Sequence, residues 1–419
     1  MKRIAFIVLF VACSFSALYG QLTIDECQEK ARMNYPQIKQ FELIEKTAEY
    51  NISNANKAYL PQLSFSARAT WQSDATAIDI PAMNLSVLTP KDQYQAVLEA
   101  NQTLWDGGVT SSQKNIVKAS AEVDKQKLEV DLYTIRERVN QLYFSLLLLD
   151  EQLLQNRILQ SELQTNYEKV KTYMQNGIAN QSDLDAVKLE MLNNGQRRTE
   201  LKAAQKSYSE MLSAMIGEQI DEKSTMQKPS VSLADEEVNA GNRPEMKLFD
   251  SQLNLLDNQR NMVQAVNLPK FGLFMQGGFG KPGLNMLNSD FSPYFIGGIR
   301  LSWNISGLYT QKNNLNSLKI NRDMVSTQKE TFLFNTNLKI SQQNAEIEKI
   351  RELVKSDDEI IRLHTSIKHA NAVKVENGIK TVTDLLREIN AESLAKQQKS
   401  LHEIQLLMNI YNLKYTTNK

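Results

Sequence analysis

The sequence predicts a mostly α-helical chain: two long coiled-coil-like helical hairpins, with four short amphipathic β-strands beside them. Three observations carry this. Gly (16) and Pro (9) together make about 6% of the 419 residues, half the roughly 12% usual in proteins. Two runs of about 70 residues contain neither. Short alternating stretches lie beside the prolines that remain. Composition also excludes several classes. With 48 Lys+Arg against 48 Asp+Glu the net charge is zero, whereas a chain that lives on nucleic acid carries a basic excess. The mean hydropathy of −0.41 is far from that of a helical membrane protein, in which each span needs about 20 nearly uncharged apolar residues. Two cysteines cannot make a disulfide framework.

Residues 1–20 read as a secretory signal peptide: Lys2-Arg3, an apolar run from Ile4 to Ala12, then small residues ending at Tyr19-Gly20. Cleavage is expected after Gly20, leaving Gln21 first. Cys13, after Phe10-Val11-Ala12, is the alternative processing point, as a lipidation site. Cys27 then remains as a lone thiol in an exported protein, expected to be a small buried hydrophobe on the first helix.

The mature chain reads as a duplication. Pro36 and Pro244 lie 208 residues apart, as do Leu60-Pro61 and Leu268-Pro269. Gly107 and Gly307 are 200 apart; Gly177 and Gly378, like Asp183 and Asp384, are 201 apart. The repeats are placed at 21–217 and 244–419, joined by a polar segment, 218–243, that holds Pro229 and Gly241. In each repeat a helix leads to a β-hairpin (61–105 and 269–305), a long helix (107–176 and 307–377) and a return helix (182–216 and 383–415).

Each long helix would extend on the order of 100 Å, beyond an ordinary globular helix, and so calls for a coiled coil or helical tube. The apolar pattern agrees. Ile135, Val139, Leu142, Leu146, Leu149, Leu153, Leu163, Tyr167, Val170 and Met174 fit one 4-3 frame, with Asn156 and Gln160 as its polar members. Shifting the frame by 201 finds Ile340, Ile347, Ile350, Val354, Ile361 and Val375. A sustained 3.5-residue period implies side-by-side helices with knobs-into-holes contacts. Gly177 and Gly378 stand where a left-handed C-terminal cap wants glycine. Ser182-Asp183 and Thr383-Asp384 follow as helix-starting residues. Each long helix therefore turns sharply and returns.

Near the prolines the period changes to two. Leu63, Phe65, Ala67, Ala69 and Trp71 alternate with Gln62, Ser64, Ser66, Arg68 and Thr70. Tyr94, Ala96, Leu98, Ala100 and Leu104 alternate with Gln95, Glu99, Asn101 and Thr103, while Val97 and Gln102 break the pattern. The second half supplies Phe271, Leu273, Met275 and Phe279, then Phe295, Ile299, Leu301 and Trp303 facing away from Arg300, Ser302 and Asn304. A long loop near 78–91 joins the first pair and a Gly/Pro/Asn-rich loop near 280–293 the second. Strands of about ten residues with one apolar and one polar face fit a transmembrane β-barrel, and equally a soluble β-domain. Closure favours the first. Four strands cannot close a barrel, since the smallest have about eight, and open edges are not tolerated in lipid. Three copies supply twelve strands and bring twelve helices side by side into an α-barrel.

These residues resemble the TolC-type outer-membrane efflux channel family. Leu22-Thr23-Ile24-Asp25-Glu26-Cys27 with Ala31 and Asn34-Tyr35-Pro36 is similar to its opening helix, and Tyr59-Leu60-Pro61-Gln62-Leu63 to its entry into the first strand. Thr103-Leu104-Trp105-Asp106-Gly107-Gly108 is similar to its strand-to-helix junction; the second junction, Asn304-Ile305-Ser306-Gly307-Leu308, departs with a single glycine. Gly177 to Ala186 and Gly378 to Leu386 resemble its two hairpin tips. The resemblance implies a homotrimer in the outer membrane of a Gram-negative bacterium, a 12-stranded β-barrel continuing into an α-barrel that extends into the periplasm. It implies a passive conduit serving a periplasmic adaptor and an inner-membrane pump, of RND or ABC type, in efflux or type I secretion. It further implies a periplasmic gate at the tips. Asp384 matches a ring aspartate, Arg387 stands where a second ring aspartate is expected, and Lys380 matches a basic residue that pairs with the first tip, where Asp183 is its counterpart. Three Asp384 carboxylates would narrow the entrance, and Asp183–Lys380 contacts would bias it closed. The plainer reading makes both aspartates helix starters and Lys380 a solvated charge.

Nothing in the sequence recommends catalysis, a metal or a cofactor. His364 and His369 are five apart and do not share a helix face as i, i+4 ligands would. His364 falls at the repeat equivalent of Leu163, in the helix seam, and His402 stands alone. The chief rival is a soluble periplasmic coiled-coil structural or adaptor protein, which explains the helices but not four amphipathic strands. A hydrolase on a helical scaffold has no residues to speak for it.

Overall fold

The computed structural model describes residues 22–75, 77–80, 85–220, 226–230 and 240–418. The signal-peptide segment, with Cys13, lies outside the described residues, as does much of 218–243. The chain begins α1 (Ile24–Asn34), α2 (Gln40–Asn56), β1 (Gln62–Trp71), β2 (Ala77–Ile80), β3 (Leu85–Leu88), β4 (Asp92–Trp105), α3 (Val109–Gln175) and α4 (Gln181–Ile216). It continues α5 (Pro244–Val266), β5 (Lys270–Lys281), β6 (Ser292–Ser302), α6 (Gly307–Glu376) and α7 (Val382–Thr417). The order helix, β-hairpin, long helix, return helix thus occurs twice. Both long helices run unbroken, over 67 and 70 residues. The residues group into two compact units, one from Met1–Ile38, Asp131–Asn242 and Asn335–Lys419, the other from Lys39–Val130 and Arg243–Phe334.

The second of these units holds an antiparallel sheet in the order β1-β4-β5-β6. Register places Leu98 opposite both Phe65 and Gly277, and Leu273 opposite Ile299. Because side chains alternate along a strand, this register gathers Leu63, Phe65, Leu98, Met275, Phe295 and Ile299 on one face, and all are exposed. The other face is mostly polar. Both interruptions of the pattern in β4 have local reasons. Val97, on the polar face, is buried. Gln102 turns its amide back to the Tyr59 carbonyl, beside a register shift between Thr103 and Trp105 of the kind that a bulge produces. The connection expected to be a plain loop near 78–91 instead folds back on itself as the short β2–β3 ladder.

Asp106 turns strand into helix. Its Oδ1 accepts from the Gly108 N–H at 2.9 Å and the Tyr59 hydroxyl at 3.0 Å, and its Oδ2 from the Thr110 N–H at 2.6 Å. Those N–H groups open α3 and have no partner inside the helix.

In the other unit α1 starts with a capping box between Thr23 and Glu26. Cys27 is fully buried, and burial pushes its thiol up to about 11, so it packs as an inert hydrophobe. The long-helix frame lies inward: Ile135, Val139, Leu142, Leu146, Leu149, Leu163 and Val170 are buried on α3, and Ile340, Ile347, Ile350 and Val375 on α6. Its polar members pair with the return helices. Asn156 donates to Asn194 Oδ1 at 2.6 Å, and Asn194 donates back to the Asn156 carbonyl at 3.0 Å and to Gln160 at 2.9 Å. The frame equivalent of Asn156 is Asp357, whose carboxylate lies 2.7 Å from His402 Nδ1. His402, alone in the sequence, thus has a buried partner in the fold.

Asp106→Ala is expected to cost about 1 kcal/mol by removing the helix cap. Hydrogen exchange that quickens in the first turn of α3, and not elsewhere in that helix, is the measurement that checks it.

Candidate functional site

The four residues expected at the gate, with the two turn glycines, sit where α3 turns into α4 and where α6 turns into α7. Each turn opens on a glycine in the left-handed region, Gly177 at φ 74° and Gly378 at φ 70°. Ile178 N–H donates to the Tyr173 carbonyl at 2.9 Å while Gly177 N–H reaches Met174 at 3.2 Å. Ile379 N–H donates to Lys374 at 2.8 Å and Gly378 N–H to Val375 at 3.0 Å. This is the Schellman arrangement, closing the last carbonyls of the helix. A Cβ at either glycine would meet nothing within 4 Å, so glycine is wanted for its backbone conformation alone.

The return helices are capped two residues before the Ser182 and Thr383 that the sequence suggested. Asn180 and Thr381 are the N-caps, and Asp183 and Asp384 occupy the third helical position. From there a carboxylate reaches back to the cap while the cap side chain reaches forward. Asp183 accepts from the Asn180 N–H at 3.0 Å and its own N–H donates to Asn180 Oδ1 at 3.1 Å. Asp384 Oδ2 accepts from the Thr381 hydroxyl at 2.9 Å and N–H at 3.3 Å. These bonds, helped by the nearby positive charges of Lys380 and Arg387, hold the Asp384 carboxyl below its usual range. Arg387 Nη2 lies 3.8 Å from Asp384 Oδ1, an exposed pair of little energetic weight. Within the chain no hydrogen bond or ion pair joins Asp183 to Lys380 among the described residues; Asp384 and Arg387 are the pair brought together.

Both turns rest on one apolar core. Leu163 and Val170 of α3, Leu184 and Val187 of α4, Val375 of α6, and Val382, Leu385, Leu386 and Ile389 of α7 form a single buried cluster. The two tips are therefore fixed to each other by packing.

Behind this core lies a charged network that sequence reasoning missed. Glu392 of α7 is 2% exposed. It pairs with Lys368 of α6, accepts from Lys396 at 2.9 Å and accepts from the Thr365 hydroxyl at 2.6 Å. Lys368 also reaches Glu162 of α3 at 2.7 Å, so one lysine ties the first helical pair to the second. Burial alone would raise the Glu392 carboxyl, but the bonds from Lys368, Thr365 and Lys396 outweigh it and hold it at about 2. Burial opposes the charge on Lys368 too, and its two carboxylate partners overcome that and raise it. Farther along the same seam His364 Nδ1 lies 3.3 Å from Glu388 and Lys399 lies 2.5 Å from Asp358. The missed signal was periodic: after Leu385 and Ile389, the next frame position falls on Glu392.

Glu392→Gln, which takes the buried carboxylate from Lys396 and leaves Lys368 with Glu162 alone, is expected to cost about 3 kcal/mol in thermal unfolding at neutral pH. The folded pKa lies below the ordinary 4.5, so the carboxylate stabilises fully above about pH 4.5, and that contribution is lost as pH falls towards about 2. The cost of the substitution should shrink over the same window. Gly378→Ala should cost about 1–2 kcal/mol through the left-handed backbone alone, and circular dichroism melts of the purified protein check both.

Residues 28–218 match the family described as outer membrane efflux protein. No curated protein matches at a significant level. Among solved structures, the chain is similar to the outer-membrane channel OprN, with a TM-score of 0.69 at 13% identity over 94% of this chain and 89% of that one. It is similar to the outer-membrane protein VceC from Vibrio cholerae, at 0.64 and 15% over 93% and 94%. The open state of the Neisseria gonorrhoeae MtrE outer-membrane channel follows at 0.65 and 13% over 94% and 88%. At such identities the likeness is one of fold. The family match over residues 28–218 and the shared fold over nearly all of the chain bear out the resemblance to the TolC-type outer-membrane efflux channel family.

Proposed function

We propose that this chain is one third of a homotrimeric channel, a passive conduit through the outer membrane that extends into the periplasm. One observation carries the reading. The four-stranded sheet exposes a face of Leu63, Phe65, Trp71, Leu98, Met275, Phe295, Ile299 and Leu301, while β1 and β6 each leave an outer edge unpaired among the described strands. Water disfavours the first feature and lipid forbids the second. Three copies joined edge to edge satisfy both, with twelve strands whose apolar faces meet hydrocarbon. No helix among the described residues is long and apolar enough to cross a membrane, and the barrel needs none.

In this reading the conduit works with a periplasmic adaptor and an inner-membrane pump of RND or ABC type, in efflux or type I secretion, and has no catalysis of its own. Ile178 and Ile379, exposed at the two turns, offer apolar contact to such a partner. Asp384, Asp183, Lys380 and Arg387 form the periplasmic gate, with Gly177 and Gly378 shaping its turns. The three Asp384 carboxylates stay ionised through neutral pH because Thr381 and the neighbouring cations favour the charged form. Arg387 beside each of them makes the ring less acidic than a double-aspartate ring. Asp183 and Lys380, unjoined within one chain, are free to meet between protomers.

Membrane fractionation tests the reading. The protein should sediment with the outer membrane and run on gels as a heat-labile trimer; a soluble periplasmic monomer favours the coiled-coil structural or adaptor alternative and ends the channel reading. In planar bilayers Asp384→Ala should change single-channel conductance and flatten its response to acid. Unchanged conductance and pH response would remove Asp384 from the constriction.

A further inference from the structure

We infer that the barrel lumen is an anion-attracting vestibule, set by Arg68, Lys270 and Arg300. The inference rests on the trimeric-channel reading and adds a selectivity to it. Register divides the charges of the four long strands cleanly between faces. On the face shared by Gln95, Gln276 and Tyr294 lie Arg68, Lys270 and Arg300, and the single carboxylate Glu99. On the apolar face the only charges are Asp92 and Lys281, which neutralise each other at 2.9 Å near the strand ends. If the apolar face meets lipid, the other lines water. Each chain then contributes three cations and one anion to the lumen wall, and a trimer carries a net excess of six positive charges there. The chain's zero net charge conceals this.

Of the three cations, Arg300 is the one held in place. Arg300 donates to Asn101 at 3.1 Å, lies 3.3 Å from Glu99, and rests its guanidinium 4.7 Å above the Phe274 ring. Its charge is thus fixed in place and partly neutralised by the one carboxylate. Arg68 has the neutral amide of Gln95 beside it, at 3.3 Å, and Lys270 is exposed at the start of β5. Neither has an ion-pair partner among the described residues. Like charges lining a low-dielectric wall focus the field and raise the local concentration of counter-ions. The ligand class is therefore small polyvalent anions or anionic groups on cargo. The sign is opposite to that of the proposed Asp384 ring, so the two sites would favour opposite ions.

Sidedness separates the two in a planar-bilayer experiment on the full-length trimer. Tripolyphosphate added from the side of the β2–β3 loop should reduce single-channel current, and hexaamminecobalt(III) from that side should do so far less. Arg68→Gln combined with Lys270→Gln should weaken the tripolyphosphate effect at least tenfold. Glu99→Gln, which removes the opposing charge and keeps the side chain's size, should strengthen it severalfold. Block unaltered by the double variant, or stronger block by the cation from the loop side, overturns the inference while conducting trimers leave the channel reading standing. Failure to obtain any conducting trimer overturns both.

Discussion

Along the outer edges of β1 and β6 the backbone N–H and C=O groups have no partner strand among the described residues, and the apolar face between those edges has no covering layer. An open edge in water invites uncontrolled pairing; in hydrocarbon each unmet group costs several kcal/mol. Polar backbone and apolar side chains thus make incompatible demands on any environment that one copy of the chain meets alone. The proposed trimer is the solution that serves both. The other consequences follow from the strand period of two: once one face is committed to lipid, every alternate side chain, charged or not, is committed to the lumen.

In the helical unit the governing constraint is register. Long helices with a uniform apolar seam can slide by a turn at little cost, and buried polar pairs prevent this by making wrong registers expensive. Asn156 with Asn194, Asp357 with His402, and Glu392 with Lys368 each sit in the seam and each finds its partner on an adjacent helix. Lys368 does more, because it bridges Glu162 and Glu392, and the apolar cluster below it spans all four helices at the turns. Such a fourfold attachment ties the two tips to each other through one apolar core, as the proposed gate would require.

Much of this was legible in the chain itself. The absence of Gly and Pro over two long runs, the 4-3 frame, and the 200- and 201-residue offsets between glycines located the long helices and their turns, because helix length and helix ends depend on neighbouring residues. The β-strands were readable for the same reason, as alternation is local. The short β2–β3 ladder was not, since Ile78-Asp79-Ile80 and Leu85-Ser86-Val87 alternate over too few residues to set a period. The N-caps were misplaced because Asp183 and Asp384 are capping residues of two kinds, and sequence does not say whether a carboxylate starts a helix or reaches back from its third position.

By itself the sequence determined which segments are helix, which are strand, and which side of each is apolar, since these are properties of periodicity and backbone propensity. Only the tertiary structure decided which polar groups meet. Glu392 and Lys368 are 24 residues apart and Glu162 lies 206 residues before Lys368, so no local pattern could assign them as partners. Arg300 reaches Glu99 across strands separated by some 200 residues, and its side of the sheet follows from a register that only the assembled ladder establishes. Ion pairs and hydrogen bonds act over a few ångströms, and it is the fold that decides which distant residues come that close.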